Sequence, residues 1–120
     1  MPKQITPKRG EVYLVNFDPT IGSEIRKTRP ALVIQNNIAN RYSPVTIVVA
    51  ITSQIGERTY PTEVLIEAEQ SDLNRRCVIL VNQIRAIDKQ RLVKKLAVFD
   101  SVLMERVNQA LEISLGLVDL

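Results

Sequence analysis

Arginine, threonine and glutamine gather at the ends of apolar runs in three places, and together they suit phosphate chemistry. The first place is residues 22–35, GSEIRKTRPALVIQ, where Arg26, Lys27 and Arg29 precede an apolar run. Pro30 fixes its own φ and biases Arg29 toward extended backbone, which puts Arg29 at a stiff boundary between loop and strand. A guanidinium on such a mount presents a planar fork of donors matched to phosphate oxygens. The second is residues 50–54, AITSQ, an apolar run that ends in hydroxyls and an amide. There Thr52 can donate a hydrogen bond to a phosphate oxygen. The third is residues 82–88, NQIRAID, where Gln83 and Arg85 fall on one face of a strand. Gln reads base edges, and Arg pairs with phosphate or stacks on a base. Each segment also has a plain structural reading: a solvated basic loop, a strand end capped by small polar residues, and an Arg85–Asp88 ion pair that supports a turn.

The chain contains no histidine. This removes His-based metal sites, Cys–His dyads, His triads and the two-His route to RNA cleavage. Any phosphodiester chemistry must rest on Arg, Lys, Asp, Glu and hydroxyls, with no cofactor and no metal expected.

The elements that must hold these side chains are short. Residues 11–17, EVYLVNF, alternate with period two, which predicts a strand with Val12, Leu14 and Asn16 on one face and Tyr13, Val15 and Phe17 on the other. Residues 18–29 read as a polar loop, with Asp18-Pro19 and Gly22 as turn signals. The β-branched runs 31–35 and 46–51 predict buried strands with a loop, 36–44, between them. A loop at 53–61 precedes a strand at 63–66, a turn or short helix falls within 68–76, and 77–84 is the next central strand. Residues 88–95 mix a tight turn with a short edge segment. Residues 100–115 form the one long helix, with Asp100 as N-cap, a stripe of Leu103, Val107, Ala110, Leu111 and Ser114, and Gly116 as stop. Several short strands and one terminal helix give an α+β class. Pattern alone leaves barrel and sandwich both open, and a small, strongly curved, mostly antiparallel sheet closed by the helix is expected.

A length of 120 residues fits a single domain spanning 1–120. Only 4% of residues are aromatic, so Val, Ile and Leu must build the core. Residues 1–62 hold eight Lys/Arg against four Asp/Glu and residues 63–120 hold eight against nine, so the formal charge of +3 divides as +4 and −1. A basic first half suits a polyanion. It also fits a chance clustering of solvated charges. The single cysteine, Cys77, opens an apolar run and reads as a buried thiol. The N-terminus carries charge without an apolar stretch, and no segment has the length of apolar residues that a membrane span requires. The cytoplasm is the expected compartment, and no membrane partner is expected.

The blocks RGEVYLVNFDPTIGSE, KTRPALVIQN, VAITSQ and QIRAIDKQRL occur in this order, followed by a helix ending in ALEISLGL. They resemble the successive blocks of the MazF/PemK/Kid toxin family, over roughly residues 8–118. The resemblance implies a strongly twisted, SH3-like antiparallel β-barrel with helices packed on it. It implies a homodimer whose concave face binds single-stranded RNA, and a MazE-like antitoxin that fills the same groove. It also implies cleavage of mRNA at short preferred sequences. The family's essential Arg and Thr fall on Arg29 and Thr52, and its RNA-contacting positions on Glu24, Asn36, Gln54, Tyr60, Gln83 and Arg85. Some members carry a His in the first loop and an acid on the QIR strand. Here those positions hold Ser23 and Asn82, so the proton acceptor is unassigned. Two other readings stand beside this one: a non-catalytic RNA-binding barrel, and a CcdB-like poison of DNA gyrase.

Overall fold

Strands β1 (Glu11–Asn16), β2 (Thr28–Val33) and β3 (Val45–Thr52) are apolar on both faces, so the sheet they form must be covered on both sides. The computed structural model describes residues 5–17 and 28–119. One face carries Val12, Leu32, Val49 and Ile51, joined by Val64, Ile66, Ile79 and Val81. The other carries Tyr13, Val15, Ala31, Val33 and Val48, joined by Ile87 and Leu92. The alternation expected along β1 is realised, with Val12 in the first core, Tyr13 and Val15 in the second, and Phe17 packed against the second.

All six strands pair antiparallel in the order β4-β5-β3-β2-β1-β6. β4 is Glu63–Ile66, β5 is Cys77–Asp88 and β6 is Leu92–Val98. The helix α2 (Ser101–Ser114) packs on β4 and β5 and completes the first core with Leu103, Val107 and Ala110. Asp100 caps it by accepting from the Leu103 amide at 2.9 Å, and Gly116, at φ +71°, ends it as expected. The α+β class therefore holds, but the expected closed barrel does not form. β4 and β6 are the two edges of an open sheet, with no ladder between them. The reason lies in the short β4 and the helix: with α2 seated on that flank, the apolar surface is covered without closure.

The sheet is nevertheless strongly curved. Between Val49↔Ile84 and Ala50↔Leu80, β5 inserts Val81, Asn82 and Gln83 opposite no residue of β3. Such an insertion bends a strand and increases its twist. The curl brings Phe17, beyond the end of β1, under the Arg85 guanidinium at 4.9 Å from the ring centroid, although β2 and β3 separate β1 from β5 in the sheet.

Three elements differ from the sequence-based expectation. β5 runs to Asp88 rather than Ile84, because beyond Ile84 only Ile87 is buried and the segment looks like loop. β6 is a full strand whose Lys94 and Lys95 face solvent at a sheet edge. The segment expected as loop contains the single-turn helix α1 (Asn37–Tyr42), too short for any periodicity to show. α1 is held by a buried polar network. Asn40 Oδ1 accepts from Gln35 Nε2 at 3.0 Å and from Thr46 Oγ1 at 2.7 Å, while Asn40 Nδ2 donates to the Gln35 carbonyl at 2.9 Å. The Asn40 carbonyl accepts from Lys89 Nζ, another buried group.

Two stability predictions come from buried polar groups. Asn40→Ala leaves the Thr46 hydroxyl without its acceptor inside the protein, and should cost about 3 kcal/mol, since each stranded buried group costs about 1–3 kcal/mol. Urea denaturation of the two proteins measures it, and an unchanged midpoint would remove the network from the ledger of stability. Tyr13 is buried and donates to Glu11 Oε1 at 3.1 Å. Burial first, and the Glu11 hydrogen bond and charge second, push its phenol up to about 12 from the ordinary 10. The stabilisation that the neutral phenol provides is complete below pH 10 and is lost as pH rises toward 12. The difference in thermal midpoint between the wild type and Tyr13→Phe should therefore shrink or reverse over that interval; a constant difference would contradict it.

Candidate active site

Pro30 has no amide hydrogen to give a neighbouring strand. β2 pairs with β3 only at Ala31↔Ala50, Leu32↔Val49 and Val33↔Val48, and the ladder stops there. Beyond that point Arg29 and Pro30 stay with β1, opposite Val15 and Leu14, while Ile51 and Thr52 stay with β5, opposite Ile79 and Val78. β2 and β3 diverge, and a cleft of about 420 Å³ opens between them. Arg29 and Pro30 of β2 line it, with Ile51 and Thr52 of β3 and the following Ser53 and Gln54. Asp72, Leu73 and Arg75, from the turn before β5, also line it, as do Cys77 and Leu96.

The sequence-predicted pair, Arg29 and Thr52, therefore shares one cleft. Arg29 is exposed and makes no ion pair or hydrogen bond among the described residues. Thr52 is half-buried, and its Oγ1 accepts the Gln54 amide at 3.1 Å. With that oxygen engaged from the backbone, the hydroxyl proton remains free to be donated into the cleft. The same bond fixes where Gln54 leaves the strand.

The other expected contact residues spread away from this point. Glu24, Ser23, Arg26 and Lys27 lie outside the described residues. Gln83 stands in the β5 insertion beside Asn82, and both are exposed. Arg85 lies over Phe17, just past the end of β1. Its expected alternative partner, Asp88, instead accepts from the Gln90 amide at 2.8 Å, and no Arg85–Asp88 ion pair occurs among the described residues. Tyr60 is 56% exposed on the loop before β4, where its amide donates to Glu63 Oε1. Asn36 is not brought to the cleft. It caps α1 by accepting from the Ala39 amide at 2.8 Å, and at about 3.3 Å per residue it lies roughly 20 Å along the chain direction from Arg29.

Sequence reasoning did not single out Asp72 and Arg75. Their segment has no periodicity, and only the fold brings it against Thr52. Asp72 is the one carboxylate of the cleft among the described residues. Cys77 is buried, and that burial pushes its thiol up, against a smaller lowering by Arg75. A low-pKa nucleophilic thiol is not what this site offers. Among the described residues no group of three His, Cys, Asp or Glu side chains is arranged to hold a metal ion, and no helix is long and apolar enough to cross a membrane.

Comparison with known proteins agrees with this geometry. Residues 8–115 match the family described as PemK-like, MazF-like toxin of type II toxin-antitoxin system. Endoribonuclease EndoA of Bacillus subtilis is 51% identical over 112 residues, which cover 93% of this chain and 97% of that protein. Endoribonuclease MazF of Staphylococcus saprophyticus is 46% identical over 110 residues, 92% of each. Among solved structures, a MazE–MazF crystal structure from Deinococcus radiodurans superposes with a TM-score of 0.79 at 28% identity, covering 95% of this chain and 99% of the matched one. With matching blocks along nearly the whole length and a shared fold, the chain belongs to the PemK-like, MazF-like toxin family of type II toxin–antitoxin systems.

Proposed function

We propose that residues 1–120 work as a single domain and form a toxin endoribonuclease that cuts single-stranded mRNA at short preferred sequences in the cytoplasm. The observation that carries this reading is the meeting of Arg29 and Thr52 in the cleft opened by Pro30. It is supported by the relatives named endoribonucleases. Those names lend nothing to gyrase poisoning or to an inert RNA-binding barrel.

The chemistry follows from what the cleft contains. A ribose 2′-oxygen attacks the adjacent phosphorus in line, the new P–O2′ bond forms as the P–O5′ bond breaks, and the 2′-OH proton passes to an acceptor while O5′ gains one. The products are a 2′,3′-cyclic phosphate and a 5′-hydroxyl. Arg29 supplies a fixed positive charge for the phosphoryl oxygens as charge builds on them, because a guanidinium does not deprotonate in a protein. Thr52 donates its free hydroxyl proton to the same group. Neither is a proton carrier. With no histidine in the chain and, among the described residues, no group of three metal-ligating side chains, the reaction is proposed to run without a metal.

Gln54, beside Thr52, and Gln83 and Arg85, on β5, are the described residues best set to contact the RNA on either side of the cut; Glu24, Tyr60 and Asn36 are carried from the family resemblance alone. The proposed partners are a second copy of the chain and a MazE-like antitoxin. The edge strand β6 leaves Val93 and Val98 more than half exposed, the kind of edge that a partner covers. A MazE–MazF complex is known for the Deinococcus relative.

An unstructured RNA oligonucleotide incubated with the protein in EDTA should be cut, and the downstream fragment should accept phosphate from polynucleotide kinase without prior phosphatase treatment. Intact RNA with folded protein would overturn the enzyme reading. Arg29→Ala should fold normally and lose about 10²–10³ in rate, and Thr52→Val a comparable factor, the scale for removing one transition-state donor. Wild-type turnover in Arg29→Ala would remove that residue from the mechanism.

A further inference from the structure

The turn before β5 gives the cleft a second arginine that the proposed chemistry leaves unused. Arg75 and Arg76 are adjacent and both exposed, yet their situations differ. Arg76 is committed, with its Nε 2.7 Å from Glu67 Oε1. Arg75 lines the cleft and makes no hydrogen bond or ion pair among the described residues. Arg75 and Arg29 are the two cations of the cleft lining among the described residues, and an anion entering the cleft is attracted to both.

The position of Arg75 is built rather than incidental. Leu73 packs on the first core and anchors the turn. Asn74 takes the left-handed conformation at φ 55°, a region that Asn tolerates better than most residues, and its amide donates to the Ser71 carbonyl at 3.3 Å. Three residues after Arg75, Val78 pairs with Thr52. The ladder that sets Thr52 thus also sets the start of β5, and Arg75 with it. Asp72 also lines the cleft, and its carboxylate disfavours an anion beside it, which leaves the two guanidiniums as the places where a phosphate is favoured.

We propose that Arg75 binds a backbone phosphate of the RNA next to the one being cut. This rests on the endoribonuclease reading. The scissile phosphate lies at Arg29 and Thr52, and the neighbouring phosphate on the strand meets the fork of Arg75 in the same cleft. Two fixed phosphates define the direction of the backbone between them, and in-line attack requires that direction to be held. Arg75 is therefore a positioning residue: it holds the strand and carries no sequence information.

The test uses an RNA oligonucleotide containing the cleavage site mapped with the wild type, made uncleavable by a single 2′-deoxyribose at the attacking position. A series of copies each carries one neutral methylphosphonate in place of a phosphate. For the wild type, one position flanking the cut should weaken binding about tenfold, the scale of a hydrogen bond to a charged group. Arg75→Gln should bind the unmodified RNA about tenfold more weakly and show no further loss at that one position. The slope of log K against log salt should also fall by about 0.7, one phosphate contact on a single strand, and Arg75→Lys should recover the slope. Equal methylphosphonate penalties in the wild type and in Arg75→Gln of unchanged thermal midpoint, or an unchanged salt slope, overturn the proposal while leaving the endoribonuclease reading standing. A wild type that neither binds nor cuts RNA overturns both.

Discussion

The amide hydrogen that Pro30 lacks organises the functional end of this molecule. A central strand normally gives and takes hydrogen bonds on both sides along its whole length. β2 does so only from Ala31 onward. At Arg29 and Pro30 it holds to β1 alone, and the following strand is drawn the other way by β5. One missing donor beside two packed cores separates two strand ends and leaves a gap lined by both polar and apolar groups. The Arg before that proline and the Thr at the end of β3 become neighbours because their strands part at that point.

The rigidity that makes such a gap useful comes from the two cores. Leu32 and Val33 are adjacent in sequence and fully buried on opposite faces, so β2 is fixed from above and below immediately behind Pro30. Fully burying an aliphatic side chain of this kind is worth about 1.5–3 kcal/mol. The backbone carrying Arg29 is consequently stiff although its side chain is free, which suits a cation that must not reorganise as charge develops.

Much of this was legible in the residues. The alternation along EVYLVNF assigned Val12 and Tyr13 to opposite faces, the Asp100 cap started the long helix, and the Arg-Pro and Ile-Thr-Ser-Gln runs marked both strand ends of the cleft. What stayed hidden depended on contacts distant in sequence. The exposed half of β5 is a strand only because β3 lies beside it, and its three-residue insertion has no local signature. The sheet remains open because α2 covers β4 and β5, which no periodicity announces. Asn36 carries the polarity of an RNA contact and spends it on capping α1. Asp72 and Arg75 enter the cleft through a turn whose only mark is the left-handed Asn74.

The pairing of β1 with β6 joins Val12 to Ala97, nearly the full length of the chain apart. Closing so large a loop is slow compared with forming local hairpins. A chain whose β6 and α2 have not yet docked lacks Leu92 from the second core and Ala97, Leu103, Val107 and Ala110 from the first. Its strand ends are not yet locked around a cleft. The geometry of the cleft is thus a property of the whole sheet and helix, not of the two strand ends that line it.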